Sequence, residues 1–231
     1  MRDIVKRVIS VLLVCIIVIS ISGCSGLKNL FSKKSFNAGL FVKGCMDSRY
    51  LGQVDDEYLK NIDISKQAIL DSYEDNLAFE AELFFIKFDI ASDSIDSGYK
   101  EEVIELYRTI LSKSKYEIGN TVKSGDNYLV SVTIYPIDVF KQLVEEDRND
   151  FLDKWNNRYD SGEFDSKNDS EIAVEWANSI LGLVRDRADK IGYLEPETIS
   201  VQVVPETTGN DLRYTISDND ATRIDGLVIY Y

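Results

Sequence analysis

The residue best placed to do chemistry is Cys24. The triplet Ile21-Ser22-Gly23 precedes it and closes an apolar run, Val8 to Ile21, that begins directly after Lys6 and Arg7. A basic start (Arg2, Lys6, Arg7), an apolar middle and small residues beside a cysteine describe a segment that is exported and then removed. The run of 14 residues falls short of the roughly 18–20 that a helix needs to cross a bilayer core of about 30 Å. Residues 1–23 therefore read as a cleavable signal; the alternative is an uncleaved N-terminal anchor.

Other chemistry is narrowed by what the chain lacks. It has no histidine, which removes Ser-His-Asp and Cys-His catalysis and every His-ligated metal site. Of its three cysteines, Cys15 lies inside the signal and Cys24 is the modification candidate, so Cys45 stands alone among Phe41 and Met46 and reads as a buried, inert thiol. No disulfide can close within the chain once Cys24 is modified. No metal is expected: Asp218 to Arg223 puts Arg where a calcium loop needs Gly, and Asp160 to Asp165 lacks the alternating acidic start. Glycine-rich phosphate loops and acyl-enzyme serine motifs are absent, and no cofactor is implied. The acidic residues could support a carboxylate-only glycosidase, which needs two carboxyls about 5–10 Å apart in one pocket.

Charge narrows the partners. Loss of residues 1–23 takes away Arg2, Lys6, Arg7 and Asp3, which moves the net charge from −14 to −16. A surface of that sign repels nucleic acid, which proteins bind by neutralising phosphates.

The Ile21-Ser22-Gly23-Cys24 run resembles the lipobox of bacterial lipoproteins, with isoleucine in place of the more usual leucine. The resemblance implies cleavage between Gly23 and Cys24, a thioether-linked diacylglycerol on Cys24, and a mature chain held on the extracytoplasmic face of the cell membrane. Two acyl chains at about 0.8 kcal/mol per buried methylene give a stable anchor. Residues 24–35 then form the lipidated cysteine and a tether. Its Lys28, Lys33 and Lys34 could rest on anionic headgroups or simply be solvated.

The rest of the chain, 36–231, must supply any binding surface. Apolar residues at 36, 40, 41, 45 and 46 predict a first helix over Phe36–Leu51. Ser65 caps a second, with Ile69, Tyr73, Leu77, Ala81, Phe84 and Phe88 on one face, and Val103, Leu106 and Ile110 line a third over Tyr99–Ser112. Tyr116, Ile118 and Val122, then Tyr128, Val130, Val132 and Ile134, alternate around the turn Ser124–Asn127 and predict a hairpin. Pro136 ends it, and Asp138 caps a helix carrying Val139, Leu143, Val144, Phe151, Leu152 and Trp155. A polar loop over Asn156–Ser170 leads to a helix with Ala173, Trp176, Ala177, Ile180, Leu183 and Val184 inward. A second hairpin turns at Thr207–Asp211, and the C-terminus reads as a helix capped at Ser217 or Asp218, or as a strand at Ile-Tyr-Tyr.

This pattern predicts an α+β domain, with amphipathic helices on one face of an antiparallel sheet built from two hairpins. Thr133–Asp138 aligns weakly with Thr215–Asp220, so the halves read either as a duplicated unit or as two unrelated hairpins. The outward sheet face would carry Glu117, Thr121, Thr133, Tyr135, Gln202, Arg213 and Thr215, a surface that could hold a glycan or an envelope protein, or simply meet water. The segment around FVKGCMDSRYLGQ, followed by KYEIGNTVKSGDNYLVSVTIYPID, resembles uncharacterised lipoproteins of low-GC Gram-positive bacteria, a likeness that implies no catalytic residues. The expectation is a non-enzymatic binding or interaction module of the envelope, with a hydrolase acting through carboxylates on polysaccharide as the alternative.

Overall fold

The computed structural model describes residues 36–91, 95–208 and 211–230. The expected signal with its cleavage point at Gly23 and Cys24, the expected lipidation site and the expected tether lie outside the described residues. Residues from Asn37 onward form one contact unit with its own core, which a chain beginning at Ser25 keeps whole.

Helix α1 (Ala38–Met46) starts where the Asn37 side chain accepts the Leu40 N–H, and it runs into a π-helical turn, Asp47–Leu51. That turn is tied down at both of its own ends. Asp47 is buried, pairs with Lys43 and accepts the Tyr116 hydroxyl at 2.5 Å. Arg49 grips Asp225 with two bonds of 2.7 and 2.9 Å, and the Tyr50 hydroxyl donates to the same carboxylate at 2.5 Å. Cys45 Sγ sits 3.5 Å from the Tyr58 hydroxyl, and burial pushes its thiol up to about 11. Little thiolate is left near neutrality, and the residue is half-buried where full burial was expected.

A short turn, α2 (Asp56–Leu59), leads to α3 (Lys66–Lys87), capped by Ser65, and to α4 (Ser97–Leu111), capped by Asp96. Ile69, Tyr73, Leu77, Ala81 and Phe84 are buried along α3, and Val103, Leu106 and Ile110 along α4, as their spacing predicts. Strands β1 (Lys115–Ser124) and β2 (Asn127–Tyr135) form the first hairpin, with Gly125 at φ 63° in the turn. Helix α5 (Val139–Gln142), a π turn (Leu143–Asp147), α6 (Arg148–Asp160) and α7 (Asp169–Ala188) follow. The second hairpin is β3 (Glu197–Thr208) and β4 (Asp211–Ile216), and α8 (Asp218–Val228) is capped by Ser217. After it, Ile229 bridges in parallel to Ile137, so the C-terminal segment is a helix that ends in strand pairing.

The two hairpins join through β2 and β3 into one antiparallel sheet in the order β1-β2-β3-β4. Val130, Val132 and Ile134 of β2 and Ile199, Val201 and Val203 of β3 form its fully buried face. Helices α1 and α8 pack against the sheet. This is the α+β arrangement expected, with two departures. An extra residue in β1 between Ile118 and Thr121 forms a bulge, which turns Thr121 toward Gly39 of α1 and leaves Val122 exposed opposite Leu129. One inserted residue reverses every later side chain, so strict alternation misplaced both. In the supposed loop, α6 runs on to Asp160, Asn168 makes the capping box of α7, and Phe164 is buried.

Candidate functional site

The aromatic residues of α3, α4 and α5 converge. Tyr107 stacks on Phe140 at 6.0 Å, and the ring of Phe84 meets Tyr107 edge-on at 6.3 Å. Phe88 lies 4.7 Å from Phe84 and 6.3 Å from Phe140, at the end of this array. Beyond it the packing stops and an apolar cavity of about 370 Å³ opens. Its wall includes Phe88, Phe140, Leu143, Phe151, Ile180 and Leu183, with Lys87, Asp89, Arg148 and Trp176 also bordering it.

Helix α6 covers this space without filling it. It has no fully buried residue; Phe151, Leu152 and Trp155 are half-buried and line or flank open volume. The preceding π turn is held by Arg187, which reaches Asp147 at 2.5 and 2.6 Å, Glu146 at 2.7 Å and Gln142 at 2.8 Å. The guanidinium holds the Asp147 carboxyl below its ordinary value. Such a turn inserts one residue into a helix and recurs where helices shape sites; here it buries Leu143 while Val144, the next residue, borders the cavity.

Trp176 is the hinge of the site. Its indole N–H donates to the Phe88 carbonyl at 2.8 Å, which ties α7 to the end of α3. Trp155 stands against it at 5.1 Å and 78°, with Phe151 at 5.3 Å. Trp155 in turn packs on Phe164 at 5.0 Å, and Arg158 lies over both rings at 5.2 and 4.9 Å. Both tryptophans of the chain are thus in one cluster.

Helix α3 ends beside this cluster in a tight reversal. Ile90 N–H donates to the Phe85 carbonyl at 2.9 Å, both residues are buried, and Asp89 takes φ 53°. Glycine or asparagine normally fills that left-handed position. An aspartate there also sets negative charge at the negative end of the helix dipole. Two local preferences are overridden to put a carboxylate at this spot, and such violations concentrate at functional positions. Asp89→Gly is expected to raise stability by about 0.5–1 kcal/mol, read from urea unfolding midpoints; a lowered midpoint would show that the carboxylate has a structural role. Next to it, burial against the apolar wall pushes the Lys87 ammonium down to about 8, with Glu80 opposing.

The surface residues singled out in the sequence lie elsewhere. Tyr135 is on the outward sheet face, its hydroxyl donating to Glu117 at 2.8 Å and its ring 4.0 Å beneath Lys115 Nζ. Gln202 is half-buried opposite Leu129, its N–H donating to Asp220 at 2.8 Å. Arg213 is opposite Glu206 and 3.7 Å from Asp63. The strand register separates Tyr135 from Gln202 by about 20 Å and Gln202 from Arg213 by about 13 Å. The fold therefore does not bring the three together. The cavity was missed because Phe88, Phe151, Trp155 and Trp176 each read as core stripe, and a stripe does not reveal whether the space it faces is filled.

Among the described residues no group of three or more His, Cys, Asp or Glu side chains is placed to hold a metal, and no helix is long and apolar enough to cross a membrane. No protein-family model and no curated protein matches the chain. Among solved structures, the fold is similar to that of YcdA of Bacillus subtilis, provisionally described as a lipoprotein. The TM-score is 0.57 at 19% identity, over 84% of this chain and 56% of the other. The present chain thus spans little more than half the length of that protein, and at this identity the likeness is one of fold: helices packed with a four-stranded antiparallel sheet.

Proposed function

We propose that this chain is a lipoprotein anchored through diacylglyceryl-Cys24 on the extracytoplasmic face of the cell membrane, and that its folded unit is a non-enzymatic binding module for a small amphiphile. The apolar cavity of about 370 Å³ carries the binding reading. Protein interiors are close-packed, and an open apolar volume of this size falls in the range of ligand sites, about 300–1,000 Å³. The anchor rests on Ile21-Ser22-Gly23-Cys24, and a fold neighbour described as a lipoprotein agrees with it.

Both tryptophans report on the cavity, so binding is directly readable. The neutral probe N-phenyl-1-naphthylamine, added to the Ser25–Tyr231 chain, is expected to bind saturably and quench tryptophan emission by energy transfer. Leu183→Phe, which adds a ring to the cavity wall, is expected to weaken that binding about tenfold or more. No saturable binding by the folded wild type would remove the proposal. The anchor is checked separately: mass spectrometry of the native N-terminal peptide should find acylated Cys24, and an intact Met1 would refute it.

A further inference from the structure

The cavity accounts for the apolar part of a ligand, and the surface beside it specifies the polar part; this step rests on the binding reading above. A second, more open cleft adjoins the cavity, with Asp89 and Trp176 bordering both. Its other walls include Trp155, Tyr159, Asp169 and Ile172. Tyr159 is 60% exposed, and among the described residues its one ring contact is with Phe164 at 6.1 Å.

The chemistry of this cleft is specific. Exposed aromatic faces bury the C–H face of a sugar ring, and carboxylates accept charge-assisted hydrogen bonds from its hydroxyls. Among the described residues, neither the Asp89 nor the Asp169 side chain has a hydrogen-bond or ion-pair partner, so their acceptor oxygens are available. An anionic head would meet like charge. Among the described residues the cleft's own lining holds no cation, and Arg158 and Lys167 beside it are paired, Arg158 with Glu163 at 2.6 Å and Glu175 at 2.5 Å and Lys167 with Glu175; Lys87 and Arg148 border the cavity and not the cleft. Apolar cavity, aromatic platform and free hydroxyl acceptors follow one another around Trp176.

We infer that the site takes a neutral glycolipid-type amphiphile, with its hydrocarbon chain in the cavity and its sugar ring on the exposed ring of Tyr159, hydroxyls toward Asp89 and Asp169. The strained backbone at Asp89 then has a use, since a glycine there would relax the turn and remove the acceptor.

The test compares heads on one tail. Octyl glucoside and octyl tetraethylene glycol ether, both below their micelle thresholds, compete with N-phenyl-1-naphthylamine on the Ser25–Tyr231 chain. The glucoside is expected to compete about tenfold or more better than the ether. Tyr159→Ala and Asp169→Asn, two residues that border the cleft and not the cavity, are expected to bring the glucoside down to the ether while leaving the naphthylamine bound as before. Equal competition by both heads, with the naphthylamine still bound, overturns the sugar assignment and leaves the cavity reading standing. A preference that survives both substitutions also overturns it, because the sugar would then be held elsewhere. Failure of the naphthylamine itself to bind removes the cavity reading and this inference together.

Discussion

Phe84→Ala is expected to cost about 3–5 kcal/mol of folding stability, the range for truncating a fully buried aromatic. Phe84 has no exposed surface and touches the rings of Phe85, Phe88 and Tyr107. Tyr107, on one side of the space, is held by stacking on Phe140. The loss is partly a transfer term and partly the cavity left behind. The cavity term has a functional signature as well: Phe88 leans on Phe84 and borders the apolar site, so removing its support should enlarge that site. Urea unfolding gives the first quantity, and titration with N-phenyl-1-naphthylamine on the folded fraction gives the second. A loss below about 1 kcal/mol would mean that the helices collapse into the space, and that the aromatic array is not the rigid wall described here.

Gly44→Ala is expected to destabilise the fold by about 3 kcal/mol or more, for the opposite reason. A methyl group at position 44 would be driven into the Tyr58 ring, closer than carbon atoms approach in folded proteins. Overpacking of this kind typically costs about 1–3 kcal/mol and occasionally more, and here the ring has little room to yield. Tyr58 is buried and its hydroxyl lies against Cys45. Moving it would disturb the π turn in which Asp47 takes the Tyr116 hydroxyl and Arg49 and Tyr50 take Asp225. Thermal unfolding of the variant checks this. A double variant, Gly44→Ala with Tyr58→Ala, should recover part of the loss, since it removes the ring atoms and leaves only the Cβ of residue 58 close to the new methyl. No recovery would show that glycine is needed at 44 for a reason other than the ring.

Residues with a regular period were legible from the sequence in place and orientation. The stripes of α3 and α4 came out as spaced, because a helix that buries one face repeats its apolar residues every three or four positions. The buried face of β2 and β3 followed from alternation in the same way. What failed did so for stated physical reasons. The bulge in β1 depends on how Gly119 and Asn120 meet Ser131 across the pair, a contact that no local pattern records. Phe164 read as part of a polar loop because it meets its partners, Trp155 and Arg158 of α6, only where the chain turns back on that helix after Asp160.

The expectation of an export signal and of a modified Cys24 rests on local sequence, since such a signal is recognised as a linear run of charge, apolarity and small residues. The exclusion of histidine-based chemistry and the amphipathic elements of the α+β fold are likewise local properties, set by which residues occur and how they are spaced. Only the tertiary structure decided that Phe88, Phe151 and Trp176 border open space, that Asp89 takes a left-handed conformation beside them, and that Tyr135, Gln202 and Arg213 are spread along a sheet. A cavity belongs to no single element. It exists where α3, α6 and α7 come together without filling the volume between them, and that mismatch arises in packing.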